Sequence, residues 1–163
     1  MEPIKFEYVG VDKDPETNII LGHAGFIKTI EDLYEAMADS VPGIKFGIAF
    51  SEASSDCLVR SEGNDPILIK QAEEGMMKIS VGHTFLILIK SAYPINVMNR
   101  LKAVPEVANI YCATANPLQI IIGKSDQGRA IFGIIDGSPP RGIEQNEDKA
   151  KRKKLLRDLG YKL

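Results

Sequence analysis

Residues 52–65 crowd Glu52, Ser54, Asp56, Arg60, Asn64 and Asp65 into one short segment. Carboxylates accept hydrogen bonds from hydroxyl and amino groups, a guanidinium pairs with phosphate, and an amide does both, so this set suits a polar ligand. The same residue types also build ordinary turns, and composition leaves both readings open. His83 follows Gly82, where it is either a ligand donor, an acid or base, or a satisfied half-buried side chain. His23, between Gly22 and Gly25, poses the same choice. Asn116 precedes Pro117 and is thereby pushed toward an extended conformation. Its amide matches the donor and acceptor edge of adenine, although turn chemistry also explains it. Asp136 in Asp136-Gly137 is either a base or Mg²⁺ ligand, or half of a turn dipeptide.

Several familiar machineries are excluded. A Walker A loop needs a glycine five positions before its Gly-Lys-Ser, and here that position is Leu118, so Gly123-Lys124-Ser125 reads as a hairpin turn. No GxGxxG and no protein-kinase signature set occurs. The two histidines and two cysteines show no HxxxH, HExxH or CxxC spacing, which leaves no histidine-based metal site to expect. Cys57 and Cys112 form no disulfide framework and are expected as small buried residues in a reducing, cytoplasmic compartment.

The bulk properties are those of a globular protein. With 163 residues, 44% hydrophobic and 26% charged, the chain is expected to form one domain over residues 1–163. A formal net charge of −2 gives no general pull toward nucleic acid or anionic lipid. No apolar run approaches the ~20 residues that span a bilayer, and the first residues lack a leader pattern.

Those chemical groups need elements to position them. Ile4, Phe6 and Tyr8 alternate with charged residues, and a turn at 12–15 then suggests an opening hairpin with a second strand at 18–21. Thr29 is expected to cap a helix carrying Ile30, Leu33, Tyr34, Met37 and Val41 on one face, ended by Pro42-Gly43. Ile44, Phe46, Ile48 and Phe50 form one face of a strand whose opposite face, Gly47, Ala49 and Ser51, is bare enough for something to pack closely on it. After the polar loop, Asp65-Pro66 reads as an N-cap and first helical position. Residues 81–89 read as a strand buried on both faces. A helix from Tyr93-Pro94, three strands at 107–113, 118–123 and 130–135, and a charged terminal helix complete the chain. The basic cluster of that last helix reads as a solvated face. This order predicts an α+β fold, a mixed sheet with helices packed on it.

Taken together, these segments resemble the adenosine-specific kinase family. The resemblance is carried by Lys28-Thr29-Ile30-Glu31-Asp32-Leu33-Tyr34-Glu35-Ala36, Phe46-Gly47-Ile48-Ala49-Phe50-Ser51-Glu52-Ala53-Ser54, Cys57-Leu58-Val59-Arg60, Gly63-Asn64-Asp65 and Gly82-His83-Thr84-Phe85. It continues through Tyr93-Pro94-Ile95-Asn96, Tyr111-Cys112-Ala113-Thr114-Ala115-Asn116-Pro117, Asp136-Gly137-Ser138-Pro139 and Gly160-Tyr161-Lys162, in one collinear order over about residues 4–162. The resemblance implies adenosine or AMP as ligand and a symmetric homo-oligomer, a trimer or a multiple of one.

Two functions fit it. An enzyme transferring phosphate from ATP to adenosine would use Mg²⁺ with ATP, Asp136 as base, Arg60 as charge stabiliser and Glu52, Asp56 and Asp65 as possible metal ligands. A non-catalytic adenosine nucleotide sensor needs only a pocket, expected from Glu52, Ser54, Asp56, Asn64, Asp65, His83 and Asn116.

Overall fold

The computed structural model describes residues 3–163; the reading of an N-terminus without a leader pattern falls partly on Met1 and Glu2, which lie outside them. The chain runs β1 (Lys5–Gly10), β2 (Asn18–Ala24), α1 (Thr29–Ala38), β3 (Lys45–Ser51), β4 (Val59–Gly63), α2 (Pro66–Ile79), β5 (Thr84–Lys90), α3 (Pro94–Ala103), β6 (Val107–Thr114), β7 (Leu118–Lys124), β8 (Arg129–Asp136) and α4 (Asn146–Asp158). The expected α+β class is the one observed. Its strands divide into two sheets, β4-β3-β5-β2-β6 and β1-β7-β8, with antiparallel pairing throughout.

The five-stranded sheet is apolar on both faces because each face is covered. Ile20, Phe46, Ile48, Phe50, Phe85 and Ile87 pack with Leu33 and Met37 of α1 and Val97 and Leu101 of α3. On the other face Ile19, Leu21, Ala49, Leu86 and Leu88 pack with α2 and with Leu118, Ile120 and Ile122 of the small sheet. Hence β5, central in the sheet, is a continuous apolar run. The bare face of β3 also has its expected cause. A Cβ on Gly47 would lie 2.2 Å from the backbone carbon of Leu68, so α2 rests directly on that strand.

Four local expectations are corrected. The opening hairpin does not form: β1 pairs with β7, Lys5 opposite Lys124, while β2 lies between β5 and β6. Thr29 is the first residue of α1 and not its N-cap; its Oγ1 donates to Phe26 O at 2.7 Å and accepts from Phe26 N at 3.1 Å. α1 ends at Ala38, before Val41 and Pro42. The polar loop at 52–65 contains the edge strand β4. The Asp65 cap of α2 is present, with Oδ1 accepting from Ile67 N and Leu68 N at 3.0 and 3.1 Å. α4 buries none of its residues.

Candidate functional site

The polar residues separate toward the two ends of β2. At its C-terminal end His23 lies opposite Thr84, and at its start Ile19 lies opposite Thr114, four residues or ~13 Å away along the strand.

At the C-terminal end, β3 leaves the sheet at Ser51, whose carbonyl accepts from His83 N at 2.8 Å. The chain then makes a tight loop and returns as β4. Glu52 accepts from Leu58 N at 3.2 Å across this loop and is ion-paired with Arg60, which also donates to Ile27 O at 3.1 Å. The loop lies against the turn that follows α2. A Cβ on Gly82 would come within 2.8 Å of Ala53 Cβ, so glycine permits that approach. A cleft of about 720 Å³ opens here, lined by Ser51, Glu52 and Cys57 on one wall, by Ser80 and Gly82, and by Lys124, Ser125 and Arg129 of the β7–β8 hairpin opposite. That volume lies in the usual range for small-molecule sites.

Backbone strain gathers around the same place. Ser55, Cys57, Ser80 and His83 have φ of 56°, 51°, 50° and 56°, in a region that side-chain-bearing residues seldom occupy. Ser80 is the left-handed C-cap of α2, but the others stand outside any helix end. The His83 ring is stacked on Phe50 with centroids 6.2 Å apart and meets His23 edge-on at 6.1 Å. Burial, and then the neighbouring His83, hold the His23 imidazole below its ordinary pKa.

At the other end Asp136 Oδ1 accepts from Thr114 Oγ1 at 2.7 Å and from Asn116 Nδ2 at 2.9 Å, and Thr114 Oγ1 in turn accepts from Asn116 N at 3.0 Å. This knot ties the β6–β7 turn to the end of β8. Burial, reinforced by the Asp136 charge, pushes the Cys112 thiol up to about 11.

The structure therefore distributes the expected site residues as follows. Glu52 lines the cleft, Arg60 pairs with it, and His83 adjoins it through Gly82. Ser54 and Asp56 sit in the exposed loop between Glu52 and Cys57. Asn64 has a structural task, accepting from Phe46 N at 3.0 Å and donating to Ile44 O at 2.8 Å, and Asp65 caps α2. Asn116 and Asp136 lie at the far end of the sheet, so one chain does not bring Asp136 and Arg60 together. Glu52 and Asp65 are engaged by Arg60 and by the α2 amides, and among the described residues no three His, Cys, Asp or Glu side chains cluster to hold a metal. Glu52 and Asp65 thus stand as separately partnered side chains and not as one open carboxylate cluster. Cys57, expected to be buried, is exposed. Sequence reasoning missed Ser80, Lys124, Ser125 and Arg129; the hairpin turn was visible, but not the wall it faces.

Residues 9–162 match the family described as adenosine specific kinase. Among solved structures the chain is similar to the PH1918 protein from Pyrococcus horikoshii OT3, at 43% identity, with a TM-score of 0.95 and 99% of each chain covered. No curated protein matches. The match over nearly the whole length, together with the collinear motifs of the sheet ends, shows that this chain belongs to the adenosine-specific kinase family.

Proposed function

We propose that the protein binds adenosine or AMP in the cleft between the 51–57 loop and the β7–β8 hairpin. The observation that carries this reading is the convergence there of a sizeable cavity, the Glu52–Arg60 pair and left-handed, non-glycine backbone at Ser55, Cys57 and His83. Cys57 on the cleft wall supplies the test. Adenosine should slow alkylation of Cys57, and unchanged labelling at saturating adenosine would place the ligand elsewhere.

Phosphoryl transfer from ATP to adenosine is the second reading, favoured by the family description. Mg²⁺ would then arrive with ATP, since among the described residues no three His, Cys, Asp or Glu side chains cluster into a cage. Binding has more support than turnover, because Asp136, the expected base, lies away from the cleft within one chain. Incubation with Mg-ATP and adenosine, followed by chromatographic separation of AMP and ADP, measures it; many turnovers that vanish in Asp136→Asn would establish the enzyme.

The homo-oligomer, a trimer or a multiple, is supported by an exposed apolar face on the small sheet. Phe6 and Tyr8 of β1 and Phe132 and Ile135 of β8 are each more than 40% exposed, and Phe6 and Phe132 meet edge-on at 4.8 Å. Light scattering decides it, with a monomeric mass at micromolar concentration against the proposal. The exposed free thiol of Cys57 favours a reducing, cytoplasmic setting. Among the described residues no helix is long and apolar enough to cross a membrane.

A further inference from the structure

The two charged walls of the cleft differ in balance. On the loop wall one carboxylate, Glu52, meets one cation, Arg60. On the hairpin wall two cations share one carboxylate: Lys124 Nζ lies 2.6 Å from Glu7 Oε2, and Arg129 Nη2 lies 2.6 Å from Glu7 Oε1. Lys124 and then Arg129 hold the Glu7 carboxyl below its ordinary pKa, so Glu7 stays charged and the two cations share this one ionised carboxylate.

The two cations are anchored differently. Arg129 is the fixed one, its side chain 19% exposed, donating through Nε to Ile79 O at 3.0 Å and through Nη2 to Lys78 O at 3.2 Å at the end of α2. Lys124 is 42% exposed and stands at the mouth of the hairpin beside Ser125, whose hydroxyl is only 3.4 Å from Gly128 O. An ammonium has three donors, and Glu7 uses one of them. A phosphate monoester carries close to two negative charges and three acceptor oxygens, and so outbids a single carboxylate for such a pair.

We infer that Lys124, backed by Arg129 and Ser125, is the phosphate-reading end of the cleft, so that the ligand is a nucleotide with its phosphate at the hairpin and its nucleoside toward Glu52. This rests on the cleft being the adenosine site, and it adds which end is anionic and why AMP is preferred to adenosine. Glu7 then acts as a placeholder that keeps both cations oriented until phosphate arrives.

Calorimetric affinities for AMP, adenosine and inorganic phosphate at fixed ionic strength test it. The wild-type protein should prefer AMP to adenosine, and Lys124→Ala should cut that AMP-to-adenosine affinity ratio about tenfold, the effect of one charge-assisted contact. Lys124→Arg should restore most of the ratio, and Glu7→Gln, which leaves both cations unopposed, should raise it. Inorganic phosphate at millimolar concentration should compete with AMP and not with adenosine. An unchanged ratio in Lys124→Ala and Glu7→Gln, with adenosine still protecting Cys57, overturns the phosphate assignment alone. Loss of that protection in the wild-type protein overturns the cleft, and this inference with it.

Discussion

The two ends of β2 hold similar residues in opposite conditions. At one end Thr114, Asn116 and Asp136 bind each other and close a turn. At the other, Glu52 and Cys57 line an open cleft, and the backbone around them is held in uncommon conformations. In sequence the two regions look alike, since both are strand ends rich in Asp, Asn, Ser and Thr. What separates them is where the side-chain atoms find partners. The Asp136 knot closes on itself within a turn, whereas the Glu52–Arg60 pair, though partnered, borders an open cleft where a ligand can compete for its bonds.

Each end carries one cysteine, which gives the widest expected difference. At pH 8 the Cys112 thiol, pushed to about 11, is only ~0.1% thiolate, and it is half-buried. Exposed Cys57 should react with a small disulfide reagent at least ~100-fold faster, and Cys57→Ser should remove the fast phase. Equal rates would mean that the Asp136 end is more open than its hydrogen bonds imply.

Next in size is the loss of the closed knot. Asp136→Ala leaves the buried Thr114 hydroxyl without its acceptor and should cost about 1–2 kcal/mol, lowering Tm by roughly 2–8 °C while adenosine affinity changes less than ~2-fold. A variant that keeps its Tm and loses adenosine would erase the contrast and bring Asp136 to the ligand from a second copy.

The converse substitution, Glu52→Ala, should weaken adenosine binding about tenfold and shift Tm by less than ~3 °C, because a partly exposed ion pair contributes little to stability. A large fall in Tm with unchanged affinity would make the loop end structural as well.

The smallest effect is the pH response of His23. Its folded pKa lies below the ordinary value of 6.5, so the unfolded chain takes up a proton first as pH falls. Stability should be full above pH 6.5, decline as pH drops through that value, and level off below the folded pKa. A urea titration series compared with His23→Gln isolates this step, and identical profiles would show that His23 is as accessible folded as unfolded.

What the sequence revealed followed from local causes. The bare face of β3 announced the close approach of α2 at Gly47, and the unbroken apolar run of β5 announced cover on both faces. What it hid depended on distant partners. β4 is a five-residue edge strand, Val-Arg-Ser-Glu-Gly, whose polar residues suit an edge and so resemble a loop. β1 has a good strand pattern but pairs with β7 more than a hundred residues away, which no local turn signal encodes. At the cleft, residue type singled out Glu52, which lines it, and Arg60 and His83, which stand beside it. Lys124 and Arg129 escaped because a hairpin explained them fully until the fold set that hairpin across from the 51–57 loop.

The isolation of α4 sets a gradient of protection along the chain. A 13-residue helix with no buried side chain depends on local terms, here the Gln145 amide donating to Asp148, the Glu144–Arg152 pair and Lys154–Asp158, and such helices are marginal in water. Its amide hydrogens in a lone chain should exchange with solvent nearly as fast as those of a free peptide, while those of β5 wait for global unfolding. Trypsin should accordingly cut first among Lys149, Lys151, Arg152, Lys153, Lys154 and Arg157, releasing the tail from a body that stays folded.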